Sequence, residues 1–136
     1  MCVAGTRWVQ TQLLAKYPKA NLKVYAVWFN MMPADSRAKW PPTLLADPRA
    51  VHRWDEGKTI GRWFSPHTPA MRPLLSNGSA WSDGDVLWDA YLLYGAGANW
   101  NETPTGLIQW GRTIVAGRDA LKGEFEKLFG NAPQRR

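Results

Sequence analysis

The sequence predicts a single α/β domain, and three features carry that reading. A stretch with helical spacing of apolar residues, Val3 to Tyr17, leads into Leu22–Met32, whose Val24-Tyr25-Ala26-Val27-Trp28-Phe29 core meets no polar residue before Asn30. Further on, two strand-like runs, Val86–Tyr94 and Leu107–Val115, are followed by an amphipathic helix, the pattern of an antiparallel pair packed under a helix. The chain has 136 residues, close to one domain's worth. A chain of that length buries about two-thirds of the surface it exposes when unfolded, so its core needs no disulfide or metal staple.

In the first helix Ala4 and Trp8, Val9 and Leu13, and Leu13 and Tyr17 are i,i+4 pairs. Pro18 disfavours helix just before it, which sets the expected helix at Ala4–Lys16. Leu22–Met32 reads as a strand covered on both faces, ended by Pro33. Asp35 or Ser36 can cap a short helix through Arg37 and Ala38, which Trp40-Pro41-Pro42 breaks or restarts. Asp47-Pro48 marks a turn, Ala50–Trp54 a short strand, Asp55-Glu56-Gly57 a second turn and Ile60–Phe64 a helical turn. Ser65–Asp85 is rich in Pro, Ser and Gly and reads as an exposed, mobile loop anchored by Trp81. Val86–Tyr94 places Leu87, Tyr91 and Leu93 on one face and Trp88, Leu92 and Tyr94 on the other. Gly95 to Thr105 is a long turn, and Gly111 interrupts the strand Leu107–Val115. The closing helix, Asp119–Phe129, carries Leu121, Phe125, Leu128 and Phe129 on one stripe, with Gly130 at C′ and Pro133 beyond. Residues 131–136 read as a disordered tail of the same domain.

Composition excludes several classes. Hydrophobic residues make up 45% and charged residues 21%, which is ordinary for a globular protein and foreign to a disordered one. No apolar run approaches the roughly 18 residues of a membrane span. The charge is 17 − 11 = +6, spread from Arg7 to Arg136 rather than gathered on one element, so no nucleic-acid partner is expected. Residues 1–7 lack the basic-then-apolar pattern of a secretory leader, and the compartment stays open. There is no G-x-S-x-G, no G-x-x-x-x-G-K-[ST] and no G-x-G-x-x-G. His52 and His67 are the only histidines, so a metal site on His52, Asp55 and Glu56 is set aside and no cofactor is expected. Trp54-Asp55 and Trp88-Asp89 are too few for a propeller, and the two Asn-x-Ser/Thr matches, at Asn77 and Asn101, are of a kind that chance supplies.

Two residue types remain as carriers of function. Of nine tryptophans, Trp8, Trp28, Trp88 and Trp110 fall inside expected elements and read as core, whereas Trp63, Trp81 and Trp100 fall in or beside loops and are candidates for a binding surface. Cys2, the sole cysteine, is the candidate catalytic residue. It stands at the start of the first helix, where unsatisfied N–H groups and the helix dipole favour thiolate over thiol. The plainer alternative is an incidental thiol near a chain end.

The run Cys2-Val3-Ala4-Gly5-Thr6-Arg7-Trp8-Val9-Gln10, the strand Val24-Tyr25-Ala26-Val27-Trp28-Phe29 through Met32, and Asp35 resemble a family of small bacterial thioredoxin-like proteins. The resemblance continues through Asp47-Pro48-Arg49, His52-Arg53-Trp54-Asp55, Gly61-Arg62, Trp88-Asp89-Ala90-Tyr91-Leu92-Leu93-Tyr94-Gly95, Ala96-Gly97-Ala98-Asn99-Trp100 and Trp110-Gly111-Arg112. It spans about residues 2–129, and the Trp-Asp-x-Tyr block is its most specific part. It implies a three-layer α/β/α sandwich with a mixed sheet, lacking the N-terminal strand that ends in C-x-x-C. Cys2 would be the second cysteine of that motif, with Met1 an internal residue of it. The cis-proline such proteins carry before the strand after their long loop has no counterpart here, since the nearest proline ahead of Val86 is Pro73.

The resemblance implies thiol–disulfide chemistry in the complete protein and a protein thiol or disulfide as partner. One thiol cannot both attack and resolve, so this chain alone is not expected to complete a dithiol cycle. The alternative is a non-catalytic thioredoxin-fold module that binds through its Trp-rich loops. For the structure, the expectation is Leu22–Met32 adjacent in the sheet to Val86–Tyr94, a gap or rearrangement where the family's central strand belongs, and dimers or aggregation through the exposed sheet edge.

Overall fold

A computed structural model describes residues 2–67 and 86–130 of the chain. Helix α1, Cys2–Trp8, passes directly into a π-helical turn, Val9–Leu14, in which Ala15 N–H donates to the Gln10 carbonyl at 3.0 Å. The Thr11 hydroxyl donates to the Arg7 carbonyl at 2.9 Å, a side-chain bond that competes with the regular backbone ladder at the point where it widens. The helical stretch therefore begins and ends near its expected limits but is α-helical only in its first half.

The helix end is tied to the following chain by Arg49. Its guanidinium donates to both carboxylate oxygens of Asp47, at 2.8 and 2.7 Å. It donates as well to the carbonyls of Leu14 (2.9 Å), Tyr17 (2.7 Å) and Ala20 (3.1 Å). The cation caps the Leu14 carbonyl at the helix end, adds second bonds to the Tyr17 and Ala20 carbonyls, which also accept the Ala20 and Leu22 amides, and opposes the negative end of the helix dipole. The Asp47 amide in turn donates to the Gln10 side chain at 3.1 Å.

Strand β1 is Val24–Trp28 and pairs in parallel with β2, Ala50–Trp54, in the register Val24↔Ala50 to Trp28↔Trp54. The strand is shorter than the Leu22–Met32 run, and it is not covered on both faces: Tyr25 is 57% exposed. Beyond it, Asp35 accepts from the Met31 and Met32 amides at 3.0 and 2.8 Å, which closes a loop that the strand cannot continue through. Two 3₁₀ turns, Arg37–Lys39 and Pro42–Leu45, fill the connection to β2. Ser36, not Asp35, occupies the N-cap position of the first, and Pro42 opens the second.

Helix α2, Thr59–His67, is nucleated by Asp55, whose carboxylate accepts from the Thr59 and Ile60 amides at 3.0 and 2.7 Å. It runs past the expected Ile60–Phe64 turn, so Ser65, Pro66 and His67 are helical rather than the start of a loop, and Ser65 is buried. The rest of the expected loop, 68–85, and the tail 131–136 lie outside the described residues.

Strand β3 is Ala90–Tyr94 and β4 is Leu107–Arg112; they pair antiparallel with an irregularity between Leu93 and Tyr94. Val86 and Leu87 are buried but not in the strand, because Asp89 adopts a left-handed backbone (φ 49°) just before it. Helix α3, Ile114–Phe129, begins five residues before Asp119: the Thr113 hydroxyl accepts from the Ala116 amide at 3.2 Å and caps it. The β-branched pair Ile114-Val115 looks like strand in isolation, and the cap decides against it. Gly130 keeps a right-handed conformation (φ −65°), not the left-handed one expected at C′.

Among the described residues the sheet thus consists of two separate pairs, β1–β2 and β3–β4, and the expected adjacency of the first and third strands is not seen. The helices join them. Leu13, Leu121 and Phe125 form a core cluster that also takes Leu22 from the approach to β1 and Tyr91 and Leu93 from β3. A Cβ at Gly5 would stand 2.7 Å from Ile114 Cβ, and Tyr17 packs edge-on to Phe125 at 5.3 Å, so α1 and α3 run in the same sense. A Cβ at Gly61 of α2 would meet Val86, Leu87 and, at 3.4 Å, Phe29. Phe29 and the 86–87 segment thus lie against α2, while His52 of β2 bonds to the Leu45 carbonyl of the 42–45 turn. The observed architecture is mixed α/β, as the sequence predicts, with a parallel and an antiparallel component.

Candidate functional site

Cys2 opens α1, as its position in the sequence predicts. Three residues on, Gly5 is buried against Ile114, and Thr6 is buried as well, so the start of α1 lies beside the start of α3.

The tryptophan candidates divide. Trp63 sits in the middle of α2, face to face with His67 (centroids 4.5 Å apart, 12°) and edge-on to Phe64 (4.9 Å), so its ring is already engaged within its own helix. Trp100 is 48% exposed on the β3–β4 connection, edge-on to Tyr94 at 5.3 Å. Trp81 lies outside the described residues. Trp63 and Trp100 stand on different elements, and each packs against rings of its own neighbourhood rather than on the other. Of the rings expected in the core, Trp8 packs against the Leu13–Leu121–Phe125 cluster, while Trp28 lies elsewhere.

Trp28 belongs to a polar-aromatic cluster that the sequence does not announce. Its indole N–H donates to Nδ1 of His52 at 3.0 Å, and Nε2 of His52 lies 3.0 Å from the Leu45 carbonyl. The two rings are coplanar (2°) with centroids 6.2 Å apart, the edge-to-edge geometry of an N–H···N bond. Trp40 stacks on Trp28 at 5.8 Å and 11°. Ala26↔His52 and Trp28↔Trp54 are register partners, so the parallel pairing itself puts His52 and Trp28 on one face. Only that register, absent from the local pattern, would have revealed the cluster.

Electrostatically, bonding to Arg49 holds the Asp47 carboxyl below its ordinary range, and the Arg49 guanidinium is correspondingly raised. Burial raises the Tyr91 and Tyr94 phenols. The Asp47–Arg49 pair is internally satisfied and anchors the helix end, which is a structural role. Among the described residues no group of three His, Cys, Asp or Glu is arranged to hold a metal ion, and no helix is long and apolar enough to cross a membrane. No protein-family model matches the sequence, and no curated protein or solved structure matches it either.

Proposed function

We propose that the chain is a thioredoxin-like domain that takes part in thiol–disulfide exchange through Cys2. The observation that carries this reading is the order and sense of its elements. A helix opening at Cys2 is followed by the parallel pair β1–β2, α2, an antiparallel β3–β4 pair and α3, which resembles the succession of a thioredoxin-type sandwich without its first strand and with β2 inserted before α2.

In the exchange step the Cys2 thiolate attacks one sulfur of a partner's disulfide. A Cys2–partner disulfide forms, the partner's S–S bond breaks, and its second sulfur leaves as thiolate. With one cysteine in the chain, resolution falls to a thiol from outside. The test is reaction of the purified chain with oxidised glutathione, followed by mass spectrometry. The expected result is one mixed disulfide per chain, formed faster in the folded state than in urea, absent in Cys2→Ser, with no catalysed insulin reduction. Equal rates folded and unfolded would refute an activated thiol.

A second reading, a non-catalytic binding module, rests on the exposure of Trp100. It predicts ligand binding that survives Cys2→Ser and is lost in Trp100→Ala. Self-association is part of either reading. The Tyr25 and Val27 peptide groups face the edge of β1 away from β2, where no strand is bonded among the described residues. The strand has no charge and no proline to guard that edge, so concentration-dependent dimers are expected by light scattering, and Val27→Lys should reduce them.

A further inference from the structure

We infer that His52 is an acid-sensitive latch that holds the Trp28–Trp40 pair, and with it the Arg37–Lys39 turn, against the β1–β2 sheet. Both ring nitrogens of His52 are committed, and only one state of the ring satisfies both. Nδ1 accepts the Trp28 indole proton, so it carries none of its own, and Nε2–H donates to the Leu45 carbonyl. The two bonds together select the Nε2–H tautomer of the ring. A proton added at Nδ1 would face the indole N–H, donor against donor, and the bond to Trp28 would be lost. The bond to Leu45 would remain, strengthened by charge. Acid thus releases one side of the latch and keeps the other: the Trp28 indole, with the Trp40 ring stacked on it, loses its tie to β2, while the bond to the buried Leu45 stays in place.

Among the described residues, the carboxylates nearest in the chain to the cluster have partners elsewhere. Asp47 is bonded to Arg49, Asp55 to the first amides of α2, and Asp35 to the Met31 and Met32 amides. On β2, Arg53 reaches residue 52 only at its carbonyl, at 3.1 Å, and Glu56 beyond the strand is exposed. On the connection packed against the ring, Arg37 and Lys39 are exposed. His67 serves as an internal contrast: its Nδ1 is bonded to the Trp63 carbonyl, an acceptor that suits a protonated ring equally well.

The test is NMR of the ¹⁵N-labelled chain, with the Trp28 indole resonance assigned through Trp28→Phe and the His52 ring nitrogens read directly. At about pH 8 the His52 ring should show the Nε2–H tautomer. Between about pH 8 and about pH 5, corrected exchange of the Trp28 indole proton with water should accelerate at least about tenfold. In His52→Asn, whose side-chain oxygen replaces the Nδ1 acceptor and does not titrate, the indole should stay protected at both ends of that range. An Nδ1–H tautomer in the unaltered chain would overturn the latch. So would a Trp28 indole that ignores pH, or one that responds identically in His52→Asn.

Discussion

Removal of the Arg49 side chain should cost the fold heavily, because it fastens several chain segments at once. It makes two bonds to Asp47 and three to the carbonyls of Leu14, Tyr17 and Ala20, and its side chain and that of Asp47 are only 17% and 10% exposed. Breaking a largely buried pair by removing one partner costs about 3–5 kcal/mol, because the remaining charge is left unpaired. Here the Arg49 backbone amide still donates to Asp47 at 2.9 Å, and some water reaches the carboxylate. The expected cost of Arg49→Ala is therefore about 2–4 kcal/mol. Arg49→Lys restores a point charge beside Asp47 but not a planar fork that spans three carbonyls, and should recover about half of the loss. Urea unfolding followed by far-ultraviolet circular dichroism measures both variants, with the slope unchanged if only stability moves. The pair also sets a pH signature. The Asp47 carboxyl lies below its ordinary value in the folded chain, so its contribution is present above the unfolded-state value and is lost as pH falls through the folded one. The gap between the unaltered chain and Arg49→Ala should accordingly narrow as pH drops below about 4. A cost under about 0.5 kcal/mol, as for an ordinary surface residue, would refute the view that Arg49 fastens the helix end.

Two further predictions concern α3. Gly117→Ala should destabilise by about 1–3 kcal/mol, since its Cβ would stand 2.6 Å from the Tyr91 hydroxyl that donates to the Gly117 carbonyl, whereas Gly123→Ala, with open space around it, should stabilise by about 0.5–1 kcal/mol; thermal unfolding of both variants checks the opposite signs. Thr113→Ala should cost about 1 kcal/mol through loss of the bond to the Ala116 amide, with Thr113→Ser close to neutral in the same assay.

The parts of the fold that were legible in the sequence are those decided locally. Ala50–Trp54 matched its strand, and the apolar stripe of the last helix placed Leu121 and Phe125 in the core. What the sequence obscured was settled by single polar groups acting against propensity. Thr113 turned a β-branched pair into the start of a helix, Asp55 launched α2 early enough to carry it through His67, and Asp35 cut the long apolar run short by binding the Met31 and Met32 amides. Strand pairing was the least legible, because partner choice depends on contacts distant in the chain. The same limit hid the candidate cluster: Trp28 and His52 are 24 residues apart and meet only through the parallel register. Exposure of Trp100 followed its loop position, whereas Trp63 looked like a loop residue only because α2 was expected to end at Phe64.

A two-stranded sheet is marginal on its own, and the described residues form two of them. Their coexistence in one domain has to come from what lies between and across them. α1 and the chain that follows it touch α3 at two places, Gly5 on Ile114 and Tyr17 on Phe125, and the cluster between them takes side chains from the approach to β1 and from β3. α2 adds a second brace by bringing Gly61 against Val86, Leu87 and Phe29, with the Leu87 amide donating to the Gly61 carbonyl at 3.0 Å. Helix packing therefore does the work that a continuous ladder of backbone hydrogen bonds does in a larger sheet. The edge of β1 is left with peptide groups that no described strand satisfies, and its uncharged sequence gives no protection against a partner. Perturbations that loosen the braces, Arg49→Ala at one end and Gly117→Ala at the other, should for that reason raise self-association together with lowering stability.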